Sequence, residues 1–178
     1  VFQVTSVIST SGFSTTDYNL WPPFAQTILV LLMFVGGCSG STAGSIKCGR
    51  ILLLLRSSTR SLLRLSHPRA VRVVKLDGKV VDEETLRTVS SFFLCFFALL
   101  GVGCLVVSLD GYSLTTSFTA ALGCLSNVGP GLDLVGPMGN FGLLSGFNKV
   151  FLSLLMLIGR LEIFPILLLF LPSTWRRS

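Results

Sequence analysis

Three stretches of the chain are largely apolar: Phe24–Leu55, Val89–Leu109 and Phe147–Leu171. As a single helix the first would measure about 48 Å, well beyond the ~30 Å hydrocarbon core of a bilayer. Its centre is rich in glycine and serine, so a broken or strongly tilted helix is expected there. Val89–Leu109 is an uncharged span. Phe147–Leu171 is a last span, interrupted by Arg160 and Glu162 and closed by Pro172 and Trp175-Arg176-Arg177. A shorter apolar stretch, Ser113–Leu125, follows a turn at Asp110-Gly111. At about 13 residues, or ~20 Å, it is too short to cross and reads as a re-entrant helix.

Between the first two spans, Ser57–Arg87 is polar and basic. Arg72–Leu76 and Lys79–Val81 flank Asp77-Gly78, a type I′ hairpin signal. Asp82 reads as an N-cap, with Glu83 and Glu84 in the first helical turn where negative charge is favoured. Asp133, Pro137, Gly139 and Asn140 mark an exposed connector.

Two uncharged glycine loops stand out, Ile8-Ser9-Thr10-Ser11-Gly12-Phe13 and Leu125-Ser126-Asn127-Val128-Gly129-Pro130-Gly131. Each follows a short apolar stretch and precedes a long one. Aligning Gly12 with Gly129 pairs Ile8 with Leu125 and Ser9 with Ser126, so the order helix, glycine loop, long span occurs twice. Irregular backbone at membrane depth is tolerated only where protein buries it or where it lines a watery cavity. Two readings are open. The loops are a cation filter whose backbone carbonyls replace the ion's hydration shell, or they are simple turns between packed helices.

Composition sets the class. The chain is 51% hydrophobic and 12% charged, with mean hydropathy +0.78, against about 25% charged residues in a soluble domain. An all-α integral membrane protein is expected. The chain opens at Val1 inside an apolar stretch, as a piece of a longer protein would. Net charge is +6, but no Lys or Arg lies in 1–46 or 88–148, and ten of the fourteen lie between Lys47 and Arg87. That clustering assigns sidedness, with 57–88 and the C-terminus cytoplasmic, and argues against nucleic-acid binding. Cys38, Cys48, Cys95, Cys104 and Cys124 lack any C-x-x-C pair and fit buried free thiols. One histidine, His67, gives metal or triad chemistry almost nothing to work with, and no enzyme constellation is present.

Gly36-Gly37-Cys38-Ser39-Gly40-Ser41-Thr42-Ala43-Gly44-Ser45-Ile46-Lys47 superficially suggests a phosphate loop, but Ser45 and Cys48 break the motif. Gly36, Gly40 and Gly44 form tandem G-x-x-x-G, which reads either as close helix packing or as an unwound stretch protruding below the filter as a gate. Arg160 stands at mid-span and is either a buried structural charge or a fixed positive charge beside the ion path. Glu162, two positions on, lies on a different helix face.

Together the two glycine loops, Gly36–Lys47 and Gly159-Arg160-Leu161-Glu162-Ile163-Phe164 resemble the bacterial Trk potassium-uptake membrane subunit family, in its TrkH/TrkG rather than its KtrB branch. The resemblance covers essentially the whole chain. It implies potassium-channel-like helix–pore loop–helix repeats, four in one full chain. Residues 1–56 would close a third repeat (partial pore helix, filter, broken inner helix), 57–88 form the basic cytoplasmic loop with its hairpin, and 89–178 make the fourth repeat. The filter positions implied are Thr10, Ser11, Gly12, Asn127, Val128 and Gly129, with K⁺ at Thr10, Ser11, Asn127 and Val128. The implied gate is Gly36, Gly37, Gly40, Ser41, Thr42, Gly44 and Lys47, bordered by Arg160. Implied partners are the N-terminal remainder of the chain, a second copy in a homodimer, membrane lipids, and a cytoplasmic TrkA-like ring that carries the nucleotide and docks on the basic loop. The location implied is the bacterial inner membrane. Potassium is the substrate, carried by channel or proton-coupled symport, with no covalently bound cofactor. The family often has a second glycine where Ser45 stands. The alternative from another class is a non-conducting membrane scaffold whose glycine motifs serve helix packing.

Overall fold

A computed structural model describes residues 1–38, 41, 44–66, 74–76 and 79–161. His67, Glu162, the Asp77-Gly78 turn, Gly40 and Thr42 lie outside the described residues. Among the described residues six α-helices carry the fold: α1 Phe2–Ile8, α2 Pro23–Phe34, α3 Cys48–Ser66, α4 Glu83–Ser108, α5 Leu114–Leu125 and α6 Gly146–Arg160. A two-stranded antiparallel ladder, β1 Lys75–Leu76 with β2 Lys79–Val80, pairs Lys75 with Val80 and Leu76 with Lys79.

The overlength first span is broken. α2 ends at Phe34 and α3 begins at Cys48, and the described residues between them are not helical. Proline at the first turn of α2 suits a position whose N–H would be unpaired anyway. α3 runs on through the polar stretch expected to be loop from Ser57 and reaches Ser66. Leucines alternating with arginines four apart (Arg56, Arg60) give it a helical rather than a loop pattern. Arg60 forms a two-pronged ion pair with Glu83 at 2.7 and 3.2 Å, and Arg56 donates to the Lys75 carbonyl. Leu53, Val74, Leu86 and Val89 form a small core beneath this contact.

α4, at 26 residues, is among the described residues the one helix long and apolar enough to cross a bilayer. Leu86, Val89, Phe92, Phe96, Leu100, Gly103 and Val107 are buried, spaced by three or four along one face. Leu94, Phe97, Val102 and Leu105 are apolar and exposed on the rest, as a lipid-facing surface requires. Asp82 occupies the N-cap position of α4 but makes no side-chain cap bond.

α5 is the central element. Its residues Thr116, Ser117 and Thr119–Leu125 are all buried, packed against α4, α6 and α2. Phe34 brings α2 to Phe96 and Phe97 of α4 and Phe118 of α5, with ring centroids 5.9–6.5 Å apart. A Cβ at Gly103 would lie 2.8 Å from Leu155 of α6 and 3.1 Å from Ala121 of α5, so the small residue sets how closely the three helices approach. In the turn between α4 and α5, Asp110 accepts from the Ser145 backbone N–H at 3.1 Å, at the N-cap of α6. That bond holds its carboxyl below the usual range.

Candidate functional site

The two glycine loops are the same structure twice. α1 and α5 both end with a serine near-helical cap: Ser9 at φ −77°, ψ −3° and Ser126 at φ −81°, ψ −6°. The next residues, Thr10 and Asn127, turn left-handed at φ 54° and 55°. Backbone bonds then match pair by pair. Ser9 N donates to Thr5 O at 2.9 Å and Ser126 N to Leu122 O at 2.8 Å. Thr10 N reaches Val7 O and Asn127 N reaches Cys124 O, both at 3.1 Å. Ser11 N reaches Ser6 O and Val128 N reaches Gly123 O, both at 3.0 Å. These are Schellman endings, which satisfy carbonyls at the helix C-terminus.

Two residues later the backbone turns left-handed again, at Gly12 (φ 73°) and Gly129 (φ 101°). Sequence reasoning gave this role to glycine alone and missed Thr10. A β-branched residue in the left-handed region is strained, and such strain persists only where the surroundings over-determine it. Polar side chains from the short helices hold the chain beyond each loop. With its amide oxygen turned toward them, Gln3 accepts from Thr15 N at 3.0 Å and Thr16 N at 3.2 Å. Thr119 Oγ1 accepts from Leu132 N at 3.0 Å. Thr15 and Leu132 each stand three residues past the loop glycine.

The other singled-out segments gather on the second loop. Gly12 sits so close that a Cβ there would meet the Val128 carbonyl oxygen, so the loops touch. Gly44 presses on the Ser126 carbonyl and lies 2.9 Å, by its absent Cβ, from Asn127 Cβ. Ser45 Oγ is 2.9 Å from Met33 O and 3.2 Å from Ser126 O. Gly159 of α6 abuts the Leu125 carbonyl, and Asn127 Nδ2 donates to Met156 O at 3.1 Å. Gly129 faces open space along a cavity of about 290 Å³ shared with Lys149, Leu152 and Met156.

The described residues of the Gly36–Lys47 segment depart from the helix that tandem G-x-x-x-G would need. Its two stems run side by side: Gly36 N donates to Ile46 O at 2.9 Å, Ile46 N to Phe34 O at 3.1 Å, and Cys48 N to Gly37 O at 3.3 Å. Ser41 N reaches Cys38 O at 3.0 Å. Ser45 is left-handed at φ 61°, a conformation that glycine adopts without steric cost. Arg160 is in the last turn of α6, one residue past Gly159, where a cation is favoured; beyond Leu161, the rest of the span expected to reach Leu171 lies outside the described residues. One expectation is corrected here. Cys38 and Cys48 are free but exposed rather than buried, while Cys124 is buried.

Sequence reasoning also missed Asn19. Its side chain exchanges two hydrogen bonds with the backbone of Asp133, 114 residues away. Only a three-dimensional contact carries that signal.

A central buried half-length helix, lipid-type apolar faces around it and two matched re-entering loops define an all-α membrane protein built on helix–loop–helix repeats. The chain matches the TrkH family of cation transport proteins over residues 1–177, and it belongs to that family. It is 39% identical over 175 residues to the Trk system potassium uptake protein TrkH of Salmonella typhimurium, covering 98% of this chain and 36% of that one. With the TrkG protein of Escherichia coli it shares 37% identity over the same proportions. The crystal structure of the potassium transporter TrkH from Vibrio parahaemolyticus is similar at a TM-score of 0.89 and 39% identity, over 98% of this chain and 37% of that one. The chain thus spans little more than a third of the length of these relatives.

Proposed function

We propose that this chain supplies part of a potassium-conducting pore for uptake across the bacterial inner membrane. Thr10, Ser11 and Gly12, with Asn127, Val128 and Gly129, line its selectivity filter through backbone oxygens. The observation that carries the reading is the paired left-handed backbone at Thr10/Gly12 and Asn127/Gly129 on two loops in mutual contact. A run of extended backbone points successive carbonyls to opposite sides; inserting left-handed residues breaks that alternation, as an oxygen-lined ion path requires. Each loop follows a helix C-terminus, whose negative end favours a cation.

The Gly36–Lys47 segment acts as the gate, because Gly44 and Ser45 bear directly on Ser126 of the second loop. Gly36, Gly37, Gly40, Ser41, Thr42 and Lys47 belong to it, and Arg160 borders it from the end of α6. Residues 1–56 complete one pore repeat and 89–178 form the next, with 57–88 cytoplasmic. The rest of the subunit supplies the other repeats. Subunits pair as homodimers, and a TrkA-like nucleotide-binding ring docks on the basic surface between Lys47 and Arg87.

The test is rubidium and sodium flux through the full-length subunit in liposomes. A bulky residue at Gly12 or Gly129 lowers K⁺-over-Na⁺ selectivity, and an unchanged ratio sinks the filter assignment. Deleting residues 39–43 raises leak; no rise removes the gate.

A further inference from the structure

Asn19 and Asp133 belong to neither loop, yet they connect the two. Asn19 lies in a 3-10 turn, Tyr18–Leu20, on the outgoing side of the first loop. Asp133 opens a 3-10 turn, Asp133–Val135, on the outgoing side of the second. The Asn19 amide embraces one residue: Oδ1 accepts from Asp133 N at 2.9 Å and Nδ2 donates to Asp133 O at 3.1 Å. Asp133 meets it in the left-handed region, at φ 60°, a conformation that aspartate tolerates better than most residues.

The Asp133 carboxylate binds in a different direction. Its Oδ2 accepts from Ser113 Oγ and Thr116 Oγ1, both at 2.7 Å, at the N-terminus of α5. These hydroxyls hold the carboxyl below its ordinary value. Asn19 is itself anchored, its backbone N–H to Asp17 Oδ1 at 2.9 Å and its carbonyl to Gln26 Nε2 of α2 at 2.8 Å. A continuous set of bonds therefore runs from the first loop's exit and α2, through Asn19 and Asp133, to the start of the helix that ends in the second loop.

We propose that Asn19 and Asp133 are positioning residues for ion selection, a clasp that fixes the separation and angle of the two glycine loops. This rests on reading those loops as the filter. The loops touch directly where Gly12 meets Val128 and Pro130, and the clasp adds a hydrogen-bonded fixed point away from that contact. Discrimination between K⁺ and Na⁺ depends on the placement or the number of coordinating oxygens, so a shift of one loop against the other changes the selectivity ratio even when flux persists.

The experiment measures K⁺ and Na⁺ uptake by the full-length subunit in proteoliposomes. Asn19→Ala removes both amide bonds and lowers the K⁺/Na⁺ ratio roughly three- to tenfold, the effect of losing about one hydrogen bond of discrimination, with K⁺ flux changed less. Asn19→Asp keeps the acceptor for Asp133 N but sets a carboxylate oxygen against the Asp133 carbonyl, and it lowers the ratio as well, which supplies the readout if the alanine variant does not fold. Asp133→Asn keeps the backbone pair and an acceptor for the hydroxyls, and restores most of the ratio relative to Asp133→Ala. An unchanged ratio in folded Asn19 variants, or K⁺ and Na⁺ flux falling by one common factor, overturns the clasp. Loss of selectivity in a glycine-loop variant with none in the Asn19 variants leaves the filter standing and refutes the clasp alone.

Discussion

Gly12 and Gly129 occupy equivalent places, but their surroundings differ, and alanine at each separates backbone strain from collision. Both are left-handed, at φ 73° and 101°. A side chain there costs about 1–2 kcal/mol, offset by roughly 0.4–1 kcal/mol from the stiffer unfolded chain. At Gly129 nothing lies within 4 Å of the new methyl, so Gly129→Ala loses about 1 kcal/mol. At Gly12 the methyl also runs into the Val128 carbonyl and comes 3.3 Å from Pro130 Cδ. Backbone cannot rotate away as a side chain can, so overpacking adds about 1–3 kcal/mol. The two loops must then part. The expected order is a clearly lower apparent unfolding midpoint for Gly12→Ala in detergent than for Gly129→Ala, with the larger loss of K⁺/Na⁺ discrimination also at Gly12. Equal midpoints, or a more damaged Gly129 variant, would refute the contact-based reasoning.

Ser45→Ala removes a hydroxyl shared between Met33 O and Ser126 O and costs about 0.5–1.5 kcal/mol, whereas Ser45→Gly also relieves left-handed strain of about 1–2 kcal/mol. Glycine should therefore give the more stable protein and both variants a higher basal flux; an alanine variant as stable as glycine contradicts this. The Arg60–Glu83 pair has side chains 21% and 65% exposed and contributes about 0–1 kcal/mol. Glu83 also sits in the first turn of α4, so Glu83→Gln should destabilise more than Arg60→Gln, by the ~0.3–1 kcal/mol of the dipole contact. Thermal unfolding at low and high salt reads both.

The elements with strong periodic or punctuation signals were legible in the sequence. α5 was delimited by Ser113 and the second glycine loop, the break of the first span by its excess length, and the repeat by aligning Gly12 with Gly129. The extent of α3 was not, because arginines that mark a cytoplasmic loop also suit an amphipathic helix. Thr10 escaped because a left-handed threonine runs against local preference and is imposed by the Schellman ending of α1. Ser45 was visible only as a departure; its conformation and two acceptors belong to the tertiary structure. Asn19 and Asp133 carry no local pattern at all, since their pairing exists only once the two loops are side by side.

Both glycine loops belong to one polypeptide. An assembly of identical subunits must accept any change in every copy at once. Here the two loops need not be alike, and they differ: Asn127 sends its amide to Met156 on α6, while Thr10 occupies the matching corner with a short branched side chain. In the proposed filter each such difference would break rotational symmetry, so that an ion would meet unlike neighbours on different sides. A change at one loop would leave its sister unaltered, so the proposed cation preference could be adjusted in small steps.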